Sequence, residues 1–332
     1  MRTAQLGNTG ISCSVLGFGC SSILGRSGKR ESLRALGAAW DSGITLYDTA
    51  RSYGFGESEA VLGEFLSGRR HQAVISTKFG ILPVRPPLWK RIAKPAARAI
   101  VGLAPFLRGT VRKQAGQQST ESNFSIEELE SSVEASLRKL KTDYLDLLFL
   151  HSPPVSILKQ NDLLAAMEKL VAAGKVRAAG ISGDSEVVRE TTARRPAPLW
   201  ALQFPCNMLD SSVAGVIESN CKAFPGAARF GAIANQPFGG ALRIQECRKI
   251  LLRVAQTPEL NRDLREKLGS IDDGVLSDVV LNTILNLDSV DAVVTSMMRL
   301  PHLEKNVAAV TGSRFTVHDL REIADRIHAA AH

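Results

Sequence analysis

Four titratable side chains stand where apolar runs of strand length end. Asp48 closes the run ITLYD, Lys78 closes AVISTK and His151 closes YLDLLFLH, while Tyr53 lies five residues after Asp48 in the stretch YDTARSYGFGESE. Each has a structural explanation when taken singly: a turn cap, a rim ion pair, a hydrogen-bonded core histidine, or packing on the next helix. If the strands are parallel, however, their C-terminal ends meet at one edge, and four such coincidences at one edge favour a catalytic site.

Together the four side chains suit proton transfer to an oxygen atom. A tyrosine with a pKa of about 10 is a weak acid at neutral pH, and a nearby ammonium group lowers that pKa by favouring the phenolate. Lys78 can supply this charge, Asp48 can hold Lys78 in place, and a neutral His151 can donate a hydrogen bond to a substrate oxygen. The set is typical of carbonyl reduction, in which hydride reaches carbon while a proton reaches oxygen.

The elements that would position these residues alternate regularly. Strands rich in Val, Ile and Leu, as in parallel sheets buried on both faces, are predicted at 15–19, 44–48, 73–78, 144–151, 176–182, 199–204, 230–235 and 291–296. Helical periodicity follows them, at 31–41, 58–66, 126–140, 163–173, 186–191, 213–222, 275–287 and 300–310. Eight such units close most simply into a (β/α)8 TIM barrel, preceded by a hairpin in RTAQLGNTGISCS.

The alternative is a doubly wound sheet, whose first strand–helix turn would carry GxGxxG. The turn here reads GFGCSS, which favours the barrel.

Ser125 and Glu128 predict a capping box at the start of the helix after strand three. Segment 237–274, after strand seven, is long enough for two short helices. We expect one barrel domain over 1–332, with long insertions in its βα loops.

The composition is that of a globular protein. Of the 332 residues, 44% are hydrophobic. The five cysteines lack the spacing of a zinc site or a disulfide framework, so no metal is expected. The first residues lack the apolar core of a signal peptide, and no run reaches the roughly 18 apolar residues of a membrane helix, so we expect a cytoplasmic protein.

The net charge of +8 comes from one segment, the basic insert at 82–122 after strand three. Eight basic residues and no acidic one lie between positions 82 and 120, and the rest of the chain holds 33 of each sign. The body of the protein is therefore balanced in charge, and nucleic acid is not an expected partner.

Several motifs of the chain resemble those of the aldo-keto reductase superfamily, and the similarity covers nearly the whole length. They are LGFGCSS, GITLYDTARSYGFGESEAVLG, ISTK, DYLDLLFLHSP, GIS, LQF and MMRLPHLEKN. The resemblance implies a (β/α)8 barrel that binds NADPH, and sometimes NADH, in extended form. It implies that Tyr53 is the general acid for reduction and the general base for oxidation. Lys78 and Asp48 would tune Tyr53, and His151 would orient the carbonyl.

The resemblance also implies contacts to the nicotinamide. Ser182 in GIS and Gln203 in LQF correspond to the pair that holds the carboxamide, whereas Gly183 replaces an asparagine common in the family. Asn235 stands where the family commonly stacks an aromatic ring, and Phe238 is an alternative for that role.

At the other end of the cofactor, the loop 236–243 resembles the segment that covers the pyrophosphate, with Arg243 as a donor. The Lys and Arg that usually grip a 2′-phosphate are Ser296 and His302, while Arg299 could still bind that phosphate. NADPH is the expected cofactor, with NADH as the alternative. The cofactor-binding candidates are Gly19, Cys20, Ser21, Asp48, Ser182, Gln203, Asn235, Gln236, Pro237, Phe238, Gly239, Arg243, Ser296, Arg299, His302 and Asn306, the last against adenine.

Three interpretations of the basic insert stay open. It could be a solvated flap, because its prolines break long helices. It could be a lid whose Trp89, Leu88 or Phe106 lines the substrate site, with its charges favouring acidic groups. A membrane or acidic-partner contact is the least favoured, because the prolines interrupt any amphipathic face.

The expected function is reduction of an aldehyde, ketone or sugar carbonyl to an alcohol by NAD(P)H. One alternative is an NAD-dependent sugar (aldose) dehydrogenase that works oxidatively, consistent with the altered 2′-phosphate positions. A second, of a different class, is a cofactor-sensing regulatory or docking protein with little turnover. The complete set of four catalytic candidates favours an enzyme that acts on a small-molecule carbonyl or alcohol.

Overall fold

Eight parallel strands close into a barrel in the computed structural model, which describes residues 1–25, 28–83 and 121–330. An antiparallel hairpin of β1 and β2 precedes them, and β10 pairs with β3 to complete the ring. The predicted (β/α)8 fold with an N-terminal hairpin is confirmed. The strands are β1 (Thr3–Gln5), β2 (Ser12–Ser14), β3 (Leu16–Gly19), β4 (Leu46–Asp48), β5 (Val74–Phe79), β6 (Leu145–His151), β7 (Val176–Ser182), β8 (Leu199–Pro205), β9 (Gly231–Asn235) and β10 (Ala292–Thr295).

Helices follow the barrel strands and pack around them. Short 3₁₀ turns lie at Cys20–Ser22, Tyr53–Gly56, Arg70–Gln72 and Val155–Lys159. The predicted lid in the basic insert lies outside the described residues, apart from its first two and last two positions. The described α-helices are α1 (Lys29–Asp41), α2 (Ser58–Phe65), α3 (Ile126–Leu140), α4 (Asn161–Ala172), α5 (Ser185–Arg194), α6 (Ser212–Ala223), α7 (Ala241–Gln256), α8 (Arg262–Leu268), α9 (Asp273–Leu285), α10 (Leu300–Thr311) and α11 (Val317–Ala330).

The interior of the barrel is an apolar cluster closed at one end by the hairpin. Leu46, Val74, Leu147, Phe149 and other strand residues share this cluster with Leu6, Ile11 and Cys13 from the hairpin segment. Fully burying one Leu, Ile or Phe side chain contributes roughly 1.5–3 kcal/mol, so the cluster stabilises the frame that carries the site.

The alternation of side chains along each strand determines which residues lie between this apolar cluster and the C-terminal mouth of the barrel. Because side chains alternate with a period of two, a residue two positions after an interior residue also faces inward, nearer the C-terminal mouth. The row above the apolar cluster therefore consists of polar side chains from successive strands. They are Asp48 after Leu46, Ser76 and Lys78 after Val74, His151 after Phe149, Ser182 after Ala178, Gln203 after Ala201, and Asn235 after Ile233.

The predicted capping box at α3 is only half formed. Ser125 Oγ accepts from the backbone N–H of Glu128 at 3.2 Å, as predicted. The N–H of Ser125, however, donates to Asn123 Oδ1 at 2.9 Å. The Glu128 carboxylate is unavailable for that bond because it accepts from Arg51 and Ser132.

The segment after β9 holds two helices, as expected, but α7 is not short. It runs for 16 residues, because Cys247, Leu251 and Val254 repeat at helical spacing and bury one face. Within the part of the chain that the structure describes, no helix has both the length and the apolar character needed to cross a membrane.

Close packing between α2 and α3 generates a stability prediction at Gly63. A Cβ added there would lie 2.3 Å from the backbone oxygen of Lys139 and 2.7 Å from atoms of Leu140. We expect Gly63→Ala to lower the free energy of unfolding by about 1–3 kcal/mol, because the two helices must separate. The measurement is urea denaturation followed by circular dichroism.

Gly37→Ala in α1 is the matched control, because an added Cβ there meets nothing within 4 Å. Helix propensity predicts a gain of roughly 0.5–1 kcal/mol for this change. Equal stability of the Gly63→Ala variant and the wild type would contradict the α2–α3 contact.

Candidate active site

The four residues predicted to act together lie in one cluster at the barrel mouth. Asp48, Lys78 and His151 come from β4, β5 and β6, and Tyr53 comes from the 3₁₀ turn after β4. Lys78 Nζ lies 4.8 Å from the centroid of the Tyr53 ring. The rings of Tyr53 and His151 meet edge to face, with centroids 5.9 Å apart. Strand ends distant in sequence thus converge.

The buried ion pair between Asp48 and Lys78 is the centre of this cluster. Lys78 Nζ lies 2.7 Å from Asp48 Oδ1 and 2.8 Å from Oδ2, and the two residues are only 2% and 5% exposed. Asp48 Oδ1 also accepts from Ser76 Oγ at 2.7 Å and from Gln203 Nε2 at 2.8 Å. These bonds offset the cost of removing the carboxylate from water.

Ser76 was missed at the sequence level, although a signal for it exists. It lies two residues before Lys78 on β5, and therefore on the same face of the strand. Its pairing in register with Asp48 brings its hydroxyl to the carboxylate.

Lys78 is held in place by two neighbouring residues. Besides Asp48, the ammonium donates to the backbone oxygen of Thr49 at 2.9 Å, and it lies 4.8 Å from the centroid of the Tyr53 ring. Burial lowers the pKa of Lys78, but the charge of Asp48 and the contact with Tyr53 outweigh burial and raise the pKa above its ordinary value. Lys78 therefore stays charged. Since an ammonium can only donate, its approach to Tyr53 leaves the phenol proton available to another group.

The net shift in the pKa of Tyr53 is the reverse of the one predicted. Lys78 does lower the pKa of Tyr53, as expected, but burial has the larger effect and Asp48 adds to it, so the pKa lies above its ordinary value. The phenol of Tyr53 is consequently protonated at neutral pH. Tyr53 can therefore act as a proton donor without first taking up a proton.

His151 is a neutral donor in this environment. Burial, and then the charge of Lys78, lower the pKa of its imidazole to about 4. Its Nδ1 is enclosed without a hydrogen-bond partner among the described residues. A buried N–H without an acceptor is unfavourable, so we expect the ring proton on Nε2.

Ser182 and Gln203, the predicted carboxamide pair, are joined to the carboxylate of Asp48. Ser182 Oγ donates to Gln203 Oε1 at 2.8 Å, and Gln203 Nε2 donates to Asp48 Oδ1. Both side chains are buried on adjacent strands, β7 and β8. Asn235, at the end of β9, has an enclosed Oδ1 with no partner in the described part of the chain. This donor and acceptor set fits the carboxamide of a nicotinamide ring.

The remaining cofactor candidates lie on segments that follow the strand ends. Gly19 ends β3, and the next residues form a 3₁₀ turn in which Cys20 is buried and Ser21 exposed. Beyond Asn235, Gln236 and Gly239 have φ values of 55° and 56°, so the loop turns sharply through Pro237 and Phe238.

The residues predicted at the phosphate and adenine end are not joined to the quartet by any contact described here. Arg243 pairs with Glu246 within α7 at 2.8 Å, so its role as a phosphate donor would require that pair to open. Ser296, Arg299 and His302 are exposed around the start of α10, whereas Asn306 is buried.

Comparison with known proteins gives a match over most of the chain. The model of the aldo/keto reductase family matches residues 15–327. The solved structure of the aldo-keto reductase AKR11C1 from Bacillus halodurans, in its holo form, has a TM-score of 0.69 at 22% identity. The match covers 98% of this chain and 96% of that one, and it shows likeness of fold.

Three curated relatives match shorter parts. Aldo-keto reductase YhdN of Bacillus subtilis is 31% identical over 218 residues, covering 63% of this chain and 55% of the relative. The NADH-specific methylglyoxal reductase of Escherichia coli is 30% identical over 200 residues, with shares of 57% and 55%. The D-threo-aldose 1-dehydrogenase of a Pseudomonas species is 34% identical over 183 residues, with shares of 52% and 50%. The chain thus spans about half the length of these relatives.

The low pKa of His151 predicts a specific loss of stability in acid. Between the ordinary pKa of 6.5 and about 4, the unfolded chain binds a proton at this residue that the folded chain does not. The contribution of neutral His151 to the free energy of unfolding is therefore fully present above about pH 6.5. It is lost as the pH falls from there to about 4. We expect the Tm of the wild type to fall more between neutral pH and about pH 4.5 than the Tm of His151→Gln.

His71→Gln is the control, because His71 is exposed. This variant should show the same acid-induced fall in Tm as the wild type. Equal falls in the wild type and in His151→Gln would show that burial does not hold this imidazole neutral.

Proposed function

Because this chain belongs to the aldo/keto reductase family, we propose that it is an NAD(P)H-dependent oxidoreductase that reduces an aldehyde, ketone or sugar carbonyl to an alcohol. One observation carries the proposal. The charged Nζ of Lys78, held by Asp48 and Thr49, lies 4.8 Å from the centroid of the Tyr53 ring, where it can stabilise the phenolate that remains after the phenol gives its proton to a substrate.

A bound nicotinamide cofactor supplies the hydride for such a reaction. The task of the protein is to supply the proton and to hold the reacting groups. Tyr53 donates its phenol proton to the oxygen of the carbonyl as negative charge develops there. The resulting phenolate lies beside the charged Lys78, which stabilises it. Asp48 keeps Lys78 in position throughout.

His151 orients the carbonyl without competing for the proton. Its imidazole is neutral at physiological pH because its pKa is about 4. An N–H on Nε2 can donate to the same oxygen that Tyr53 protonates, because the two rings lie in edge-to-face contact with centroids 5.9 Å apart. Two donors directed at one oxygen fix its place relative to the cofactor.

The cofactor would be held at both ends by residues of this chain. Ser182, Gln203 and Asn235 offer a hydroxyl, an amide and an acceptor oxygen for the carboxamide, and this oxygen of Asn235 has no partner among the residues that the structure describes. We propose NADPH as the preferred cofactor, with Arg299 as the partner of its 2′-phosphate. NADH is the alternative, and the relative in Escherichia coli is named as NADH-specific.

A second candidate function is oxidation of a sugar by NAD⁺. It is favoured by the similarity to a protein named D-threo-aldose 1-dehydrogenase and by Ser296 and His302 at the expected 2′-phosphate positions. The same residues would act in reverse, with Tyr53 accepting the proton. A sensor with little turnover is less favoured, because all four catalytic candidates lie together at the barrel mouth.

If Tyr53 is the proton donor, removal of its phenol oxygen should slow carbonyl reduction. Tyr53→Phe should lower kcat for carbonyl reduction by about 10²-fold or more. The Kd of the cofactor should stay within about twofold of wild type, because the carboxamide contacts are intact. The measurements are steady-state kinetics on a panel of aldehydes, ketones and sugars, together with fluorescence titration of the cofactor.

Tyr144→Phe is the matched control, since Tyr144 precedes β6 and packs against Arg70 at the other end of the barrel. It should keep wild-type kcat. Full activity of Tyr53→Phe would disprove the mechanism, whereas tight cofactor binding by a wild type that turns over no carbonyl would favour the sensor.

The proposed 2′-phosphate contact predicts a cofactor-selective effect at Arg299. Arg299→Met should raise the Kd of NADPH about tenfold, because a hydrogen bond between charged groups is lost. The Kd of NADH should hardly change. Arg243→Met serves as the comparison, because a pyrophosphate contact would weaken both cofactors alike. Equal effects of Arg299→Met on the two Kd values would remove Arg299 from the 2′-phosphate site.

A further inference from the structure

The loop at 49–57, which carries Tyr53 from β4 to α2, has a conformation that ordinary side chains avoid. Gly54, Phe55 and Gly56 have φ values of 60°, 59° and 86° in succession. Left-handed backbone is unfavourable for a phenylalanine, and such a conformation persists only where surrounding contacts over-determine it. The contacts that hold this loop are therefore part of what places the phenol.

Both ends of the loop are anchored. At its start, the side chains of Thr49 and Ser58 are hydrogen-bonded at 3.1 Å, and Ser58 Oγ donates to the backbone oxygen of Cys20. Near its end, Lys139 Nζ of α3 donates to the backbone oxygen of Gly56 at 2.6 Å. Between these anchors, the backbone N–H of Tyr53 donates to the oxygen of Ala50 at 3.0 Å, which closes a turn around position 51.

Arg51 holds that turn, two residues before Tyr53. Its guanidinium donates to Glu128 Oε1 and Ser132 Oγ, both on α3. Ser132 Oγ in turn donates to Glu128 Oε1 at 2.8 Å. The side chains of Arg51 and Glu128 are 14% and 17% exposed, so this ion pair is shielded from solvent more than a surface pair is.

The contacts come from one face of α3. Glu128, Ser132 and Ser136 recur at a spacing of four, and Lys139 follows on the same side of the helix. Ser136 Oγ donates to the buried Glu59 of α2 at 2.7 Å, and Thr77 of β5 donates to the same carboxylate oxygen. A single helix face thus holds the loop, the next helix and the strand that carries Lys78.

We propose that Arg51, through Glu128 and Ser132, is a positioning residue for Tyr53. Arg51 does not itself touch the reacting atoms. It holds the loop so that the Tyr53 ring lies beside Lys78, and the inference rests on the proposed role of Tyr53 as proton donor. Displacement of a catalytic group by about 1 Å can lower a rate by about 10²-fold, so the effect should appear in kcat more than in cofactor binding.

The test compares Arg51→Met with Arg326→Met. Arg326 pairs with Glu322 at similar exposure, 24% and 21%, but lies on α11, away from the loop. The chain has three tyrosines, Tyr47, Tyr53 and Tyr144, so incorporation of 3-fluorotyrosine should yield three ¹⁹F resonances. Tyr53→Phe identifies the one from Tyr53.

Arg51→Met should shift or broaden the Tyr53 resonance beyond its wild-type linewidth and leave the other two unchanged. It should also lower kcat by about 10–100-fold, with the cofactor Kd within about twofold. Arg51→Lys, which keeps the charge facing Glu128, should recover part of both effects. Arg326→Met should change neither. Thermal denaturation of each variant identifies any that is unfolded, and Lys139→Met provides a second loop variant with the same expected direction.

An unchanged Tyr53 resonance in folded Arg51→Met would overturn the proposal, and so would an equal effect of Arg326→Met. The resonance does not depend on turnover. If the wild type reduced no carbonyl, the proposed function would fail while the spectrum would still report whether Arg51 positions Tyr53.

Discussion

The site depends on one buried ion pair, Asp48 with Lys78. Two charges can be held away from water only if their remaining hydrogen-bonding atoms also find partners, and here they do. The carboxylate accepts from Lys78, Ser76 and Gln203, and the ammonium donates to Asp48 and Thr49. These partners come from β4, β5, β8 and the loop after β4. A closed barrel can direct them inward at its mouth, because the strands that carry them all face the same interior.

The same ion pair sets the protonation states around it. The charge of Lys78 helps to keep His151 neutral, and it works against the burial that raises the pKa of Tyr53. As a result, the neutral side chains of Tyr53 and His151, both able to donate a hydrogen bond, lie at the barrel mouth beside the ion pair of Asp48 and Lys78. Such an arrangement favours a developing oxyanion, because the donors are already oriented and little reorganisation is needed when charge appears.

Two kinds of support hold these groups. Asp48, Lys78 and His151 lie at the ends of strands, whose register is determined by the apolar cluster below them. Tyr53 lies on a loop with unfavourable backbone torsions, and its position depends on contacts with α3. A reacting group on a loop needs a second set of contacts that a group on a strand does not, and this explains the concentration of polar side chains on one face of α3.

Local patterns in the amino-acid sequence predict the eight strand–helix units, the hairpin and the four residues at the barrel mouth. These follow from local periodicity and from which side chain ends each apolar run, and both properties are written into consecutive residues. The tertiary structure alone decided the bonds of Asp48 to Ser76 and Gln203, which lie 28 and 155 positions away. It also decided that Glu128 binds Arg51 instead of completing a capping box, and that the pKa of Tyr53 rises. The physical reason is common to all three: desolvation and hydrogen-bond geometry depend on what surrounds an atom in space, and chain spacing does not report those surroundings.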